Sequence, residues 1–306
     1  MVTPKIHAAI LASPGMGHLI PTMELAKRLV THHGFEVTIF AVTATTTAAT
    51  DNSSDSNTKK SNILQQTTNL NSLKSLNIIV TPPVDVSDKL DPNKPHIAQR
   101  IVLTMIESLP FIRSHILSMK FPPSVLIVDI FGFIALPMAR DLHMSSYVFF
   151  STNAWFTAVS IYMPFITNEA LLRHTNNHEP LLIPGCKPVQ FEDTLEMLFL
   201  RYDEGVVNMT REILSVDGIL MNTWQDLEPA ATKAVIEQTI LGQFTKGPVV
   251  MVDEEGIAMR VKVKAYRLSG EQALSAFGSS HESLCQMAKD CVLYMHPRSE
   301  AKARGA

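Results

Sequence analysis

Short apolar runs that end in turn residues and pass directly into helical periodicity set the fold class of this chain. Residues 6–12 (Ile-His-Ala-Ala-Ile-Leu-Ala) are a compact apolar run, and Ser13-Pro14-Gly15 closes it. Residues 21–31 then place Met23, Ala26, Leu29 and Val30 at helical spacing, and residues 35–42 are again β-branched and aromatic. Strand, helix and strand at such short spacing require a parallel sheet covered by helices, because a parallel connection needs a crossover. The pattern continues downstream. Strands are expected at 76–81, where Pro82-Pro83 stops the run, and at 124–128, 147–150 and 218–222. Helices are expected at 96–119, 132–142 and 203–214, and from Leu227-Glu228-Pro229 to about residue 240.

Other segments carry different signals. The tract at 43–60 is Thr, Ala, Ser, Asn and Asp with nothing to bury, and it is expected to be a mobile loop. Past Pro248 the character changes: residues 254–293 read as two or three helical pieces without a strand. Ser269 with Gln272, and Ser279 with Glu282, have capping-box spacing there. The domain reading is therefore 1–248 as one α/β domain, 249–293 as C-terminal helices and 294–306 as a disordered basic tail.

The chain has 306 residues, 46% of them hydrophobic, and a net charge of −3. That is enough apolar material for one large domain or two small ones, and the near-neutral balance points away from nucleic acid and anionic membranes. The three cysteines, Cys186, Cys285 and Cys291, form neither a disulfide framework nor a zinc pattern, so a reducing compartment, the cytoplasm, is expected. The N-terminal apolar run is too short for a signal peptide, is interrupted by His7 and ends in a turn rather than a cleavage site. No uninterrupted apolar run reaches the roughly 20 residues of a membrane helix. The longest, 154–166, is broken by Ser160 and Pro164.

Two strand ends carry the chemistry. In a parallel α/β sheet, ligands bind at the carboxyl ends of the strands. Ser13-Pro14-Gly15-Met16-Gly17-His18 follows the first strand, which puts His18 on that edge. A dinucleotide fingerprint would need a third glycine after Gly15-x-Gly17, but Ile20 stands there, which argues against NAD. Asp129 follows the apolar run 124–128 and reaches the same edge. A carboxylate there can accept the second imidazole N–H of His18, fix its tautomer and stabilise the imidazolium formed on proton abstraction. The alternatives stay open: His18 as a helix-capping residue, and Asp129 as the N-cap of the segment after it.

Four motifs, 13–21 (SPGMGHLIP), 126–132 (LIVDIFG), 182–188 (LIPGCKP) and 218–229 (GILMNTWQDLEP), resemble plant family 1 UDP-glycosyltransferases. The resemblance is closest to the subgroup that glucosylates monolignols, hydroquinone and flavonoids. It runs from about His7 to Pro248, and residues 253–291 are similar to the family's last helices. It implies the N-terminal Rossmann-like domain of a GT-B fold, a parallel sheet with helices on both faces, followed by C-terminal helices. It also implies an inverting transfer of glucose from UDP-glucose to the hydroxyl of a small phenolic or alcohol acceptor. His18 matches the general base and Asp129 its partner, while Ser13, Gly17, Phe131 and Phe149 match acceptor-site positions. Core packing is the competing reading for Phe149, which sits in a strand.

The family's second Rossmann domain is largely missing. Its donor box, a Trp-x-Pro-Gln start and a His-Cys-Gly-Trp-Asn-Ser run, has no counterpart here. Val249-Val250-Met251 is followed, after Val252, by Asp253, and the two tryptophans, Trp155 and Trp224, fall in N-terminal-type motifs. The sequence resembles a family member with an internal deletion. No donor-binding residue, cofactor or metal site is expected, and UDP-glucose binding is not expected. Two functional readings follow: a UDP-glucosyltransferase by kinship, or a non-catalytic chain that binds acceptor or pairs with a full-length relative.

Overall fold

The computed structural model describes residues 5–44, 73–90, 97–193, 204–236, 249–251 and 279–303. The chain divides into two compact units, Met1–Ser146 with Ala288–Ala306, and Tyr147–Met287. Beyond Ala44 the expected loop at 43–60 lies outside the described residues, as do 252–278 of the expected C-terminal helices.

The first unit is built on four parallel strands: β1 (His7–Ala12), β2 (Glu36–Ala41), β3 (Leu76–Val80) and β4 (Val125–Asp129), in the order β3-β2-β1-β4. All six residues of β1 and all five of β4 are buried. Successive strand residues point to opposite faces, so complete burial means that both faces of these central strands are covered. Helix α1 (Met16–His33) follows β1 and packs on β2, and α2 (Ile97–Ser118) precedes β4. A polar pair closes the amino end of β1. His7 is buried, with Nε2 2.9 Å from the Thr38 hydroxyl and Nδ1 2.9 Å from the Phe121 carbonyl.

Two helices differ from expectation. The first was expected to open at Pro21; it opens at Met16, after Gly15 turns the chain at φ 119°, and Pro21 lies inside it. A proline there cannot donate to Gly17, and the Thr22 hydroxyl donates to the next carbonyl, that of His18, at 2.8 Å. The helix expected at 132–142 is a 3-10 segment, Ile130–Ala135, followed by α3 (Leu136–Asp141). Pro137 offers no N–H to Phe133, whose carbonyl instead takes the Leu136 N–H in the tighter pattern.

Gly132 sits where this segment meets its surroundings. A Cβ on it would stand 2.8 Å from Val128 Cβ, 3.4 Å from Asp129 Oδ1 and 3.5 Å from Met105 Cε. Only a residue without a side chain lets β4, the 3-10 turn and α2 approach this closely.

Among the described residues α2 is the one helix long and apolar enough to cross a membrane, although the reading of uninterrupted apolar runs found none. It carries Arg100, Glu107 and Arg113 and buries a stripe of Thr104, Met105, Ser108, Ile112 and Ile116, the pattern of a helix seated on a sheet.

The chain passes through β5 (Ser145–Phe150) into the second unit, where β5, β6 (Gly218–Met221) and β7 (Val249–Met251) run parallel in that order. β7 was not expected. Two β-branched valines complete the ladder on β6, so the sheet continues past Pro248, the proposed domain limit. Helix α4 (Ala154–Tyr162) starts at the Asn153 cap, and a 3-10 turn, Met163–Phe165, carries the break expected at Pro164. α5 (Asn168–Asn177), capped by Thr167, had no counterpart in the sequence reading; α6 (Glu204–Leu214) and α7 (Pro229–Ile236) did.

Helix α8 (Ser279–Ala303) opens at the expected capping-box serine, with Glu282 in its first turn. It buries Ser280, Leu284, Met287 and Cys291, one stripe at helical spacing, and from Ala288 it belongs to the first unit. The tail expected to be disordered from 294 is helical to Ala303, consistent with the strong helix formers Glu300, Ala301, Lys302 and Ala303.

Two outcomes are expected in urea unfolding of the full chain. Gly132→Ala should cost about 1–3 kcal/mol, the range for an added methyl group with no room. Leu284→Ala should cost about 2–5 kcal/mol, because the side chain is fully buried. An unchanged midpoint in either case would contradict the packing described.

Candidate functional site

Parallel pairing of β1 with β4 brings the two strand ends together. Leu11 stands opposite Val128, which places Ser13 beside Asp129. Asp129 is 2% exposed, and its carboxylate holds three donors. The Ser13 hydroxyl donates to Oδ1 at 2.6 Å, the Ser13 N–H to Oδ2 at 2.9 Å, and the Gly132 N–H to Oδ1 at 3.0 Å. The last of these caps the 3-10 segment, so the N-cap reading of Asp129 holds.

His18 is the third residue of α1 and makes no capping contact; the N-cap is Gly15, without a side-chain bond. Its Nδ1 lies 3.2 Å from Asp129 Oδ2. The distance suits an ion pair, but the N–H direction misses the oxygen, and Nδ1 has no aligned hydrogen bond among the described residues. Nδ1 is buried while the side chain as a whole is 22% exposed, so the open edge of the ring is the one bearing the other nitrogen. Phe131 meets the ring edge-on, with centroids 5.4 Å apart and planes at 73°. The arrangement can take a proton at the exposed imidazole edge while a buried carboxylate faces the opposite nitrogen.

Of the residues singled out in the sequence, Ser13, His18, Asp129 and Phe131 are gathered here. Gly17 is exposed on the first turn of α1, with open space where a side chain would stand. Phe149 lies in β5 of the second unit, 1% exposed and in register with Leu220, as core residues do. Gly132 was missed as a site residue. Its signal was the glycine three positions after a strand-terminal aspartate, the spacing of a side-chain cap.

The second unit has its own carboxylate cluster, around the half-buried Glu228. Glu228 accepts the N–H groups of Ala154 at 2.8 Å and Trp155 at 3.2 Å, and the Thr223 hydroxyl at 2.7 Å, tying the 218–229 motif to the start of α4. Nearby, burial, helped by the Glu228 charge, pushes the Cys186 thiol up to about 11, which keeps it neutral and unreactive near neutral pH. Among the described residues no group of three or more His, Cys, Asp or Glu is placed to hold a metal ion.

No family model matches the sequence. The chain is 39% identical over 252 residues to UDP-glycosyltransferase 72E3 of Arabidopsis thaliana, covering 81% of itself and 48% of that protein. It is 37% identical over 248 residues to anthocyanidin 3-O-glucosyltransferase 5 of Manihot esculenta, again covering 80% of itself and 48% of the relative. It thus spans about half the length of the curated relatives it matches. Among solved structures it is similar to Phytolacca americana UGT2 complexed with UDP-2-fluoro-glucose and pterostilbene. The TM-score is 0.65 at 30% identity, over 83% of this chain and 55% of that one. These neighbours are GT-B glycosyltransferases, and the parallel α/β sheet found here is the architecture they share over about half their length. Over about 80% of its length, then, the curated relatives this chain matches at 37–39% identity are plant UDP-glycosyltransferases.

Proposed function

We propose that this chain carries the acceptor-binding, base-bearing half of an inverting UDP-glucose-dependent glycosyltransferase. The observation that carries the reading is a half-open imidazole whose buried nitrogen faces the Asp129 carboxylate at 3.2 Å. His18 takes the proton of the acceptor hydroxyl at its exposed nitrogen. The acceptor oxygen forms a bond to the anomeric carbon as that carbon's bond to the diphosphate breaks, and UDP leaves with the electron pair. Asp129 stabilises the imidazolium until the proton passes to solvent. Phe131 contributes an aromatic wall beside the ring, suited to a planar phenolic acceptor. The Manihot relative is named for an anthocyanidin acceptor, and the Phytolacca structure holds pterostilbene; both support a phenolic substrate.

A second reading has its own observation. The sequence passes from Pro248 through Val249-Val250-Met251 to Asp253 without the family's donor box. Catalysis requires both reactants held together, so the chain by itself acts as an acceptor-binding protein, alone or paired with a full-length relative.

Two experiments test these readings. Calorimetry of the chain with UDP-glucose is expected to show no saturable binding; a micromolar dissociation constant would establish a donor site and remove the second reading. With the donor domain of a close relative joined to this chain, His18→Ala should lower kcat on the order of 100-fold or more. Asp129→Asn should lower it as well, through loss of charge and tautomer support. Near-normal turnover of the His18 variant would reduce the residue to a structural role.

A further inference from the structure

Ser13 is the least accounted-for member of the cluster. It is 2% exposed, and both its donors are spent on one carboxylate. A carboxylate torsion is broad and roughly two-fold, so an aspartate at a strand end turns unless donors pin it. Here Oδ1 is held by the Ser13 hydroxyl at 2.6 Å, within the range of charge-assisted O–H···O⁻ bonds, and by the Gly132 N–H at 3.0 Å. The Ser13 N–H takes one position on Oδ2 at 2.9 Å. The remaining acceptor capacity of Oδ2 is on the atom that faces His18 Nδ1.

The imidazole proton is at stake. A neutral histidine can serve as base at its exposed nitrogen only if its proton sits on the buried one, and free imidazole side chains favour the opposite tautomer. Because the Nδ1–H direction is oblique, His18 alone does not hold the carboxylate in place. The carboxylate must be held by something else.

We propose that Ser13 is a positioning residue. Its hydroxyl and amide clamp Asp129 so that Oδ2 faces His18 Nδ1 and the neutral imidazole keeps its proton there. The role rests on the reading of His18 as the base. It differs from contact with the acceptor, since a buried hydroxyl committed to Asp129 has no donor left to offer one.

The test uses the full chain and needs no sugar donor. Long-range proton–nitrogen spectra of the histidines report which ring nitrogen of His18 is protonated at a pH where the ring is neutral. The native chain should show Nδ1–H and Asp129→Asn should show Nε2–H. Ser13→Ala, which keeps the backbone donor, should show a mixture, and Ser13→Thr, which restores a hydroxyl, the native form. A native tautomer in Ser13→Ala, with the change confined to Asp129→Asn, overturns the clamp and leaves His18 as base. No change in either variant overturns both. Should Ser13→Ala fail to fold, the native chain still decides. The buried Ser13 hydroxyl proton should exchange slowly and give its own resonance, and exchange at solvent rates overturns the proposal. In the chain joined to a donor domain, Ser13→Ala should lower kcat about tenfold with little change in KM, the scale of one lost hydrogen bond to a charged group, and Ser13→Thr should recover it.

Discussion

Parallel pairing of β1 with β4 is the constraint on which the site depends. It joins positions separated by 116 residues and sets them in one register, so that the ends of two buried strands meet at one edge of the sheet. The buried carboxylate of Asp129 is tolerable there because three donors converge on it; an unpaired charge so deep would cost several kcal/mol. Two of the donors belong to Ser13, just past the end of the other strand, and the third to Gly132, on the carboxylate's own turn. The strand pairing and the polar cluster therefore support each other.

The glycines set the geometry around this contact. Gly15, at φ 119°, lets the chain leave β1 and enter α1 within three residues, which puts His18 on the first turn. Gly132 lets α2 and the 3-10 segment close over β4. Cysteine chemistry is absent from the arrangement: Cys186 is held neutral by burial, and its carboxylate neighbour Glu228 serves to tie helix α4 to the strand end at Thr223.

Much of this was legible in the chain itself. Apolar runs bounded by turn residues located six of the seven strands among the described residues, and central strands such as β1 and β4, buried on both faces, leave a continuous apolar imprint. β7 escaped because three residues, Val249–Met251, carry too little pattern to separate from a linker. Helix boundaries were harder to read. Pro21 suggested a start and 132–142 read as one helix, but the turn at Gly15 opened the first helix earlier and Pro137 left a 3-10 segment before the second. α5 was missed because its capping threonine opens a mostly polar helix with two buried residues, Leu171 and His174.

The sequence by itself determined the parallel α/β class, the identity of the strand ends that bear His18 and Asp129, and the family to which those motifs belong. All three are written in local pattern: period, turn residues and short motifs. Tertiary structure decided which groups the carboxylate binds, that Ser13 faces inward to it, that Phe131 stands against the imidazole while Phe149 is buried in the second unit, and that His18 approaches Asp129 at ion-pair distance without alignment. The direction of a side chain at a strand end depends on the register and twist of the neighbouring strand, and that information is spread over residues far apart in the chain.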